Sequence, residues 1–344
     1  MKWFSGSLKK FTGLLILTLI LGGCGGESKP VQLKGKALGT MYSIVIYDLP
    51  DNLSVESLNK GIEQVVGKVN SAMSLFKPDS ELSQFNTYKG PDWFPVSKEL
   101  AEVVKTAKDI NRMTDGAFDI TVAPLVNLWG FGPDKQTDVV PSDAEIKERL
   151  SNVGSKFVEV STDPPQLKKL KPTITIDLAA IAKGYCVDAV SNWLASQNIK
   201  SFMVEIGGEI RAEGKKPNGG PWRIAVEKPV SMERAVQAVI AFTDKAMATS
   251  GDYRNYFEVN GKRYSHILDP TTGRPITHTL VSVSVMADTC ARADALATGL
   301  TVLGPKRGIE LAEKENLSAF FIVKTADGFV ETATGNFPKH EKLN

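Results

Sequence analysis

Valines at 281, 283 and 285 alternate with serines, the two-residue period of a strand with one buried face. The period then changes. Ala293, Leu296, Ala297, Leu300 and Leu303 recur at steps of three and four, predicting a core helix capped by Asp288 or Thr289 and stopped at Gly304-Pro305. Helical spacing also covers 55–76, through Leu58, Ile62, Val65, Val66, Val69 and Met73, and a second helix spans 97–113. A strand over 173–177 leads directly into a helix ending near Gln197. Residues 41–47 read as a strand and 74–86 as a loop. The stretch 133–171 reads as a polar surface insertion with an amphipathic piece at 143–153. From Ser201 the chain is strand-rich: 202–206, 222–227, 235–242, a hairpin over 253–268 with the type I′ turn pair Asn260-Gly261, and a late strand at 319–323. The fold class expected is α+β.

Composition narrows the picture. The 344 residues are 42% hydrophobic, enough for a large core. A formal net charge of +2, with no basic run interleaved with aromatics, argues against a nucleic-acid partner. The first residues point to export. Lys2, Lys9 and Lys10 precede an apolar run, 14–21, that is too short to stop in a bilayer and ends in Leu21-Gly22-Gly23-Cys24. Small residues before a cysteine resemble the lipobox of bacterial lipoproteins, in which Cys24 is lipidated and becomes the mature N-terminus. The organisation expected is a lipoprotein signal peptide (1–23), a lipidated tether (24–30) and one domain (31–344), anchored to a membrane of a bacterial cell envelope and facing the periplasm or the exterior. Cys186 and Cys290 then remain as a disulfide or as two buried thiols. No Cys or His spacing supports zinc.

Two features carry chemistry. Asp294 and Thr298 lie four apart, so a carboxylate and a hydroxyl share one helix face. Such hard oxygen donors suit Mg²⁺; the alternative has Thr298 bonding back to the Asp294 carbonyl and Asp294 pairing with a base. The second feature is the corner at Asp177, where small residues open a helix and aim backbone groups at a ligand. No GxGxxG accompanies it, so a dinucleotide-binding fold of that type finds no support.

The motifs Asp115-Gly116-Ala117-Phe118-Asp119, Asp177-Leu178-Ala179-Ala180-Ile181-Ala182-Lys183-Gly184, Gly207-Gly208-Glu209, Ser265-His266-Ile267-Leu268-Asp269-Pro270 with Thr272-Gly273-Arg274-Pro275, and Ala293-Asp294-Ala295-Leu296-Ala297-Thr298 together resemble the ApbE-type flavin transferases, the FAD:protein FMN transferases. They occur in the family's order and span nearly the whole chain behind the lipobox. The resemblance implies a T-fold-like α+β domain with FAD as substrate and Mg²⁺ as cofactor. The reaction implied moves FMN from FAD onto a threonine or serine hydroxyl of a partner flavoprotein, as a phosphoester, with release of AMP. Implied acceptors are exported or membrane-bound subunits of sodium-pumping quinone reductases and related electron-transfer complexes. Two other activities would use the same residues: a metal-dependent FAD pyrophosphatase giving FMN and AMP, and a non-catalytic flavin-binding lipoprotein.

Carried over residue by residue, the resemblance gives the metal the carbonyl of Ala180, the carboxylate of Asp294, the hydroxyl of Thr298 and, as a further ligand, the carbonyl of Ala297. It gives FAD the residues Met41, Phe76, Ala117, Phe118, Asp119, Asp177, Lys183 and His266. Phe76 and Phe118 either flank a flat ring system or belong to the core. Lys183 either meets the diphosphate or is solvated. Asp177 either accepts from a ring N–H or hydroxyl or caps its helix. His266 either takes the proton of the attacking hydroxyl or serves as a structural hydrogen-bonder. If Ala180 and Asp294 meet at one metal, Cys186 and Cys290 ride on converging segments, which leaves the disulfide open.

Overall fold

A computed structural model describes residues 29–132, 140–229, 236–251, 255–339 and 341–342. The signal peptide, Cys24 and most of the tether expected after it lie outside these residues, as do 133–139 of the expected insertion. No helix among the described residues is long and apolar enough to cross a membrane.

The chain enters through a hairpin, β1 (Val31–Ala37) and β2 (Thr40–Tyr47), closed at Leu38 and Gly39 with φ of 47° and 78°. Helix α1 (Val55–Met73) starts at a capping box of Ser54 and Ser57 and buries Leu58, Ile62, Val66, Val69 and Met73, as its spacing requires. Helix α2 (Glu81–Thr87) occupies the stretch read as a loop. Ser80 caps it, and Leu82 and Phe85 are fully buried. Two turns carry too few apolar residues to reveal a period.

Strand β3 (Phe94–Pro95), helices α3 (Lys98–Met113), α4 (Ala123–Leu128) and α5 (Asp143–Leu150), and strands β4 (Val158–Thr162) and β5 (Pro165–Lys169) follow. The described part of the expected surface insertion is not a polar cover. Val158 and Leu167 are fully buried in the main core, β3, β5 and β4 form a small sheet, and Ile146 of α5 joins Leu125, Trp129 and Leu268 in a satellite core. The strand expected over 173–177 also needs correction, because it pairs with no other strand among the described residues. Ile174 and Ile176 are fully buried, which explains their alternation, but the side-chain amide of Asn86 serves the Ile176 backbone instead: it donates to the carbonyl (2.9 Å) and accepts from the N–H (2.8 Å). Alternation reports burial, and burial does not require a ladder.

Helix α6 (Ala179–Ser196) precedes β6 (Ser201–Ile206), β7 (Glu209–Glu213), β8 (Trp222–Glu227), β9 (Val236–Phe242) and β10 (Lys245–Gly251). After these come the hairpin β11 (Tyr256–Val259) and β12 (Lys262–Ser265), the short pair β13 (Leu268–Asp269) and β14 (Arg274–Pro275), β15 (Leu280–Ala287), α7 (Cys290–Lys314), β16 (Ser318–Thr325), β17 (Gly328–Thr334) and β18 (Glu341–Lys342). Among the described residues an antiparallel sheet of eight strands runs β1-β2-β6-β7-β10-β15-β16-β17. Helices α1, α3, α6 and α7 share the main core with one of its faces, and the sheet β18-β9-β8 packs a second core against the other. Central strands are therefore buried on both sides.

That double burial alters the reading of β15. Leu280, Val283 and Val285 face the helices, whereas a register shift between Leu280 and Ser282 turns Val281 towards the second core. Helix α7 opens at Thr289, whose side chain accepts from the Arg292 N–H, and breaks at Gly304 (φ 78°, ψ −175°), where the sequence placed its stop. A further helical run begins at Pro305, a residue suited to a first turn.

Helices α6 and α7 meet at Gly184. A methyl group there would lie 2.4 Å from the Cys290 carbonyl oxygen, so only glycine admits this approach. Buried Asp188 of α6 accepts from the N–H groups of Cys290 and Ala291, both at 2.9 Å, capping α7 from outside its own chain segment. Arg211 backs it at 3.2 Å and also holds Glu213. Cys186 and Cys290 are both free and buried, and burial pushes the Cys186 thiol up to about 12 and Cys290 well above the ordinary thiol range.

Three outcomes follow. Gly184→Ala lowers the melting temperature, although helix propensity alone would favour alanine by about 1 kcal/mol. Asp188→Ala costs about 2 kcal/mol or more in denaturant unfolding, since it strands two helix N–H groups and part of the Arg211 charge. Cys186 and Cys290 stay unlabelled by a thiol reagent in the native protein and both react after denaturation without reductant; native labelling of either would contradict the burial described.

Candidate active site

Between α6, α7, α4 and the loop after β12 lies a cleft of about 460 Å³. Phe76, Ala117, Phe118, Asp119, Asp177, Ala180, Lys183, His266, Asp294 and Thr298 all line it, although they come from separate stretches of chain. Met41 and Ala297 do not. Met41 faces a neighbouring groove with Thr40, Glu63 and Asn70, and reaches the cleft wall only through its carbonyl, which accepts from the Gly207 N–H at 3.1 Å. Ala297 is fully buried and its carbonyl accepts from the Thr301 hydroxyl at 2.7 Å. The hydroxyl that bonds back to the helix is thus that of Thr301, while Thr298 lines the cleft.

At the floor three charges meet. Lys183 forms an ion pair with Glu209 and lies 3.8 Å from Asp294 Oδ1, while Asp294 Oδ2 accepts from the Gly184 N–H at 3.0 Å. In a regular helix that N–H belongs to the Ala180 carbonyl one turn below, so Asp294 reaches into the turn that carries Ala180. Burial alone would depress the Lys183 ammonium, but Asp294 and Glu209 hold it above the ordinary lysine range. Burial pushes Glu209 up to about 8 against the pull of Lys183, and raises Asp294 as well. Glu209 Oε2 is buried with no hydrogen-bond partner among the described residues.

The donor set suits a hard cation. Asp294, Thr298 and Ala180 offer only oxygen. No three His, Cys, Asp or Glu side chains form a cage among the described residues. A cation here would therefore share its coordination with phosphate oxygens and water.

The walls carry the other candidate residues. Asp177 Oδ1 accepts from the N–H of Ala179, the first residue of α6, at 2.8 Å, and burial raises its pKa. Asp119 is committed to the fold: it accepts from the N–H and hydroxyl of Thr121 (2.8 and 2.6 Å) and from the Ser155 N–H (2.9 Å). Phe118 belongs to the main core, whereas Phe76 is 79% exposed at the rim.

His266, just after β12, lines the same cleft. Its Nδ1 lies 2.9 Å from the Asn255 carbonyl, so the neutral ring carries its proton on Nδ1 and keeps the Nε2 lone pair free for another donor. Burial, with Lys183 and Arg263 contributing, lowers its pKa below the usual 6.5. Phe131 meets the ring edge-on at 6.2 Å, and contacts continue through Phe257 and Tyr264 to Trp129, which donates to the Gly273 carbonyl at 2.8 Å. Gly273 sits at φ 69°, and a methyl group there would meet Ile146 of α5 at 2.7 Å. The α4–α5 region thus buttresses the histidine.

Glu209 stood in a motif of the sequence but was given no role, and Ser250 and Gly251 of β10 and Asn255 were not singled out; all line the cleft. The signal for Glu209 lay in Gly207-Gly208, whose φ values of 62° and 104° turn β6 into β7 and bring the carboxylate inward.

Residues 38–321 match the ApbE family. Relatives bearing the name FAD:protein FMN transferase include one from Vibrio cholerae, 47% identical over 93% of this chain and 95% of its own, and one from Escherichia coli (strain K12), 39% identical over 92% and 93%. The solved flavin transferase ApbE from Vibrio cholerae superposes with a TM-score of 0.84 at 46% identity, covering 90% of this chain and 98% of that one. Pseudomonas stutzeri flavinyl transferase ApbE, in its apo form, gives 0.82 at 37% identity, covering 90% and 95%. Agreement of sequence and fold along nearly the full length of both partners shows that this chain belongs to the ApbE family.

Proposed function

We propose that the protein transfers FMN from FAD to a threonine or serine hydroxyl of a partner flavoprotein and releases AMP, with Mg²⁺ as its cofactor. One observation carries the reading: an oxygen-donor pair on α7, an ammonium on α6 and a neutral imidazole just after β12 line a single cleft. Relatives named for this activity support it over most of the chain. Acceptor subunits of sodium-pumping quinone reductases or related electron-transfer complexes, and a lipid on Cys24 that would keep the enzyme at a membrane beside them, belong to the same proposal.

In this reading FAD lies with its ring system towards Phe76 and Phe118 and its diphosphate over Lys183. His266 Nε2 accepts the proton of the acceptor hydroxyl as that oxygen bonds to the FMN phosphorus. The bridging P–O bond breaks, and AMP leaves with the bridging oxygen and the electron pair. Lys183 offsets charge on the diphosphate, an electrostatic role suited to phosphoryl transfer. Asp294, Thr298 and the Ala180 carbonyl would hold Mg²⁺, which supplies Lewis-acid neutralisation of the phosphate oxygens when bound. Asp177, through the oxygen not engaged by Ala179, is free to accept from the flavin.

The test incubates the protein with FAD, Mg²⁺ and a threonine-bearing flavoprotein domain, and follows the acceptor by mass spectrometry. An FMN-sized increase is expected; free FMN with an unmodified acceptor would favour hydrolysis, and intact FAD would favour storage. Asp294→Ala lowers the labelling rate by about a hundredfold or more. The pH profile supplies a second check. A base works in its deprotonated form, so activity is present above the His266 pKa and is lost as pH falls through it. Because that pKa is lowered, the acid limb lies below pH 6.5. His266→Ala reduces the rate and removes this limb; a limb that persists in the variant would exclude His266 as the base.

A further inference from the structure

Lys183 stands between two carboxylates held in different ways. Asp294 is fixed through Oδ2 by the Gly184 N–H, so its Oδ1 is the oxygen turned to the ammonium, at 3.8 Å, beyond hydrogen-bond distance. Glu209 holds the ammonium directly. Its backbone is anchored from both sides: the Gly207 N–H donates to the Met41 carbonyl at 3.1 Å, the Gly208 N–H donates to Glu205 Oε1 at 2.7 Å, and β7 pairs with both β6 and β10. A methyl group on Gly207 would meet Thr40 at 2.8 Å, so the turn has no room to follow a moving side chain. Lysine, by contrast, has a long flexible stem. Without its tether, the ammonium would need to move only about 1 Å to hydrogen-bond Asp294.

Reading Asp294 as a metal ligand makes that nearness a hazard, because an ammonium on Oδ1 competes with a divalent cation for the same oxygen. We propose that Glu209 is a positioning residue that tethers Lys183 on the β7 side of the cleft and so keeps Asp294 open to the metal. The role explains why a carboxylate is buried with one oxygen on the ammonium and the other without a partner among the described residues. Were Glu209 merely to add negative charge, it would aid metal binding whether or not Lys183 were present.

Mn²⁺ titrations of FAD-free protein, followed by electron paramagnetic resonance, separate the two. Glu209→Gln is expected to weaken Mn²⁺ binding about tenfold, whereas the same change in a Lys183→Met background alters it by less than about twofold. Equal losses in both backgrounds, or no loss in either, overturn the proposal. Glu209→Asp keeps the charge but shortens the tether, so it too must weaken binding; wild-type affinity in that variant also overturns it and covers the case in which the glutamine variant does not fold. Asp294→Ala is the control for the underlying reading. Wild-type affinity there means that the metal is not at Asp294, whereas loss there with additive Glu209 and Lys183 effects refutes the tether alone.

Discussion

Two buried carboxylates tie α6 and α7 together in opposite directions. Asp188 of α6 accepts the first N–H groups of α7, and Asp294 of α7 accepts an N–H of α6 beside Ala180. Each such bond is charge-assisted and stronger than a neutral one, but a carboxylate away from water opposes its own ionisation, and burial raises both groups. The pair is stable because the helices approach closely enough for N–H groups, Arg211 and Lys183 to replace lost hydration. Gly184 makes that approach possible. A small residue at a helix crossing thus determines whether the floor of the cleft exists.

The same contact sets the chemistry of the floor. With α7 capped by α6, Asp294 and Thr298 line the same cleft as Ala180 and Lys183, giving an oxygen-rich surface beside an ammonium. The surroundings of the imidazole are built differently. His266 rests on aromatic contacts that run back to Trp129, and α4 and α5 support them through Leu125 and Ile146. The main core therefore fixes the charged half of the site, and a satellite core fixes the imidazole. A disturbance of α5 would move the base and leave the floor in place, which gives the described part of 133–171 a role that polar composition conceals.

Sequence alone determined the long elements and the chemical cast. Helices α1, α3 and the first part of α7 were legible because an apolar stripe repeated over three or more turns cannot arise from a strand; the spacing of Asp294 and Thr298 put two oxygen donors on one helix face, while Asp177, Lys183 and His266 entered through the motifs that resemble a family. Short elements were not: α2 had too few apolar positions, β10 had no clear alternation, and the 173–177 segment copied a strand's burial while the Asn86 amide filled its hydrogen bonds. Only the tertiary structure decided which of these residues face one another. It kept Met41 and Ala297 off the cleft, separated exposed Phe76 from buried Phe118, left Cys186 and Cys290 as free thiols, and brought in Glu209. The reason is physical: period and propensity act over a turn or two of chain, whereas burial, ion pairing and the close approach at Gly184 depend on distances between segments a hundred residues apart, which a local pattern does not encode.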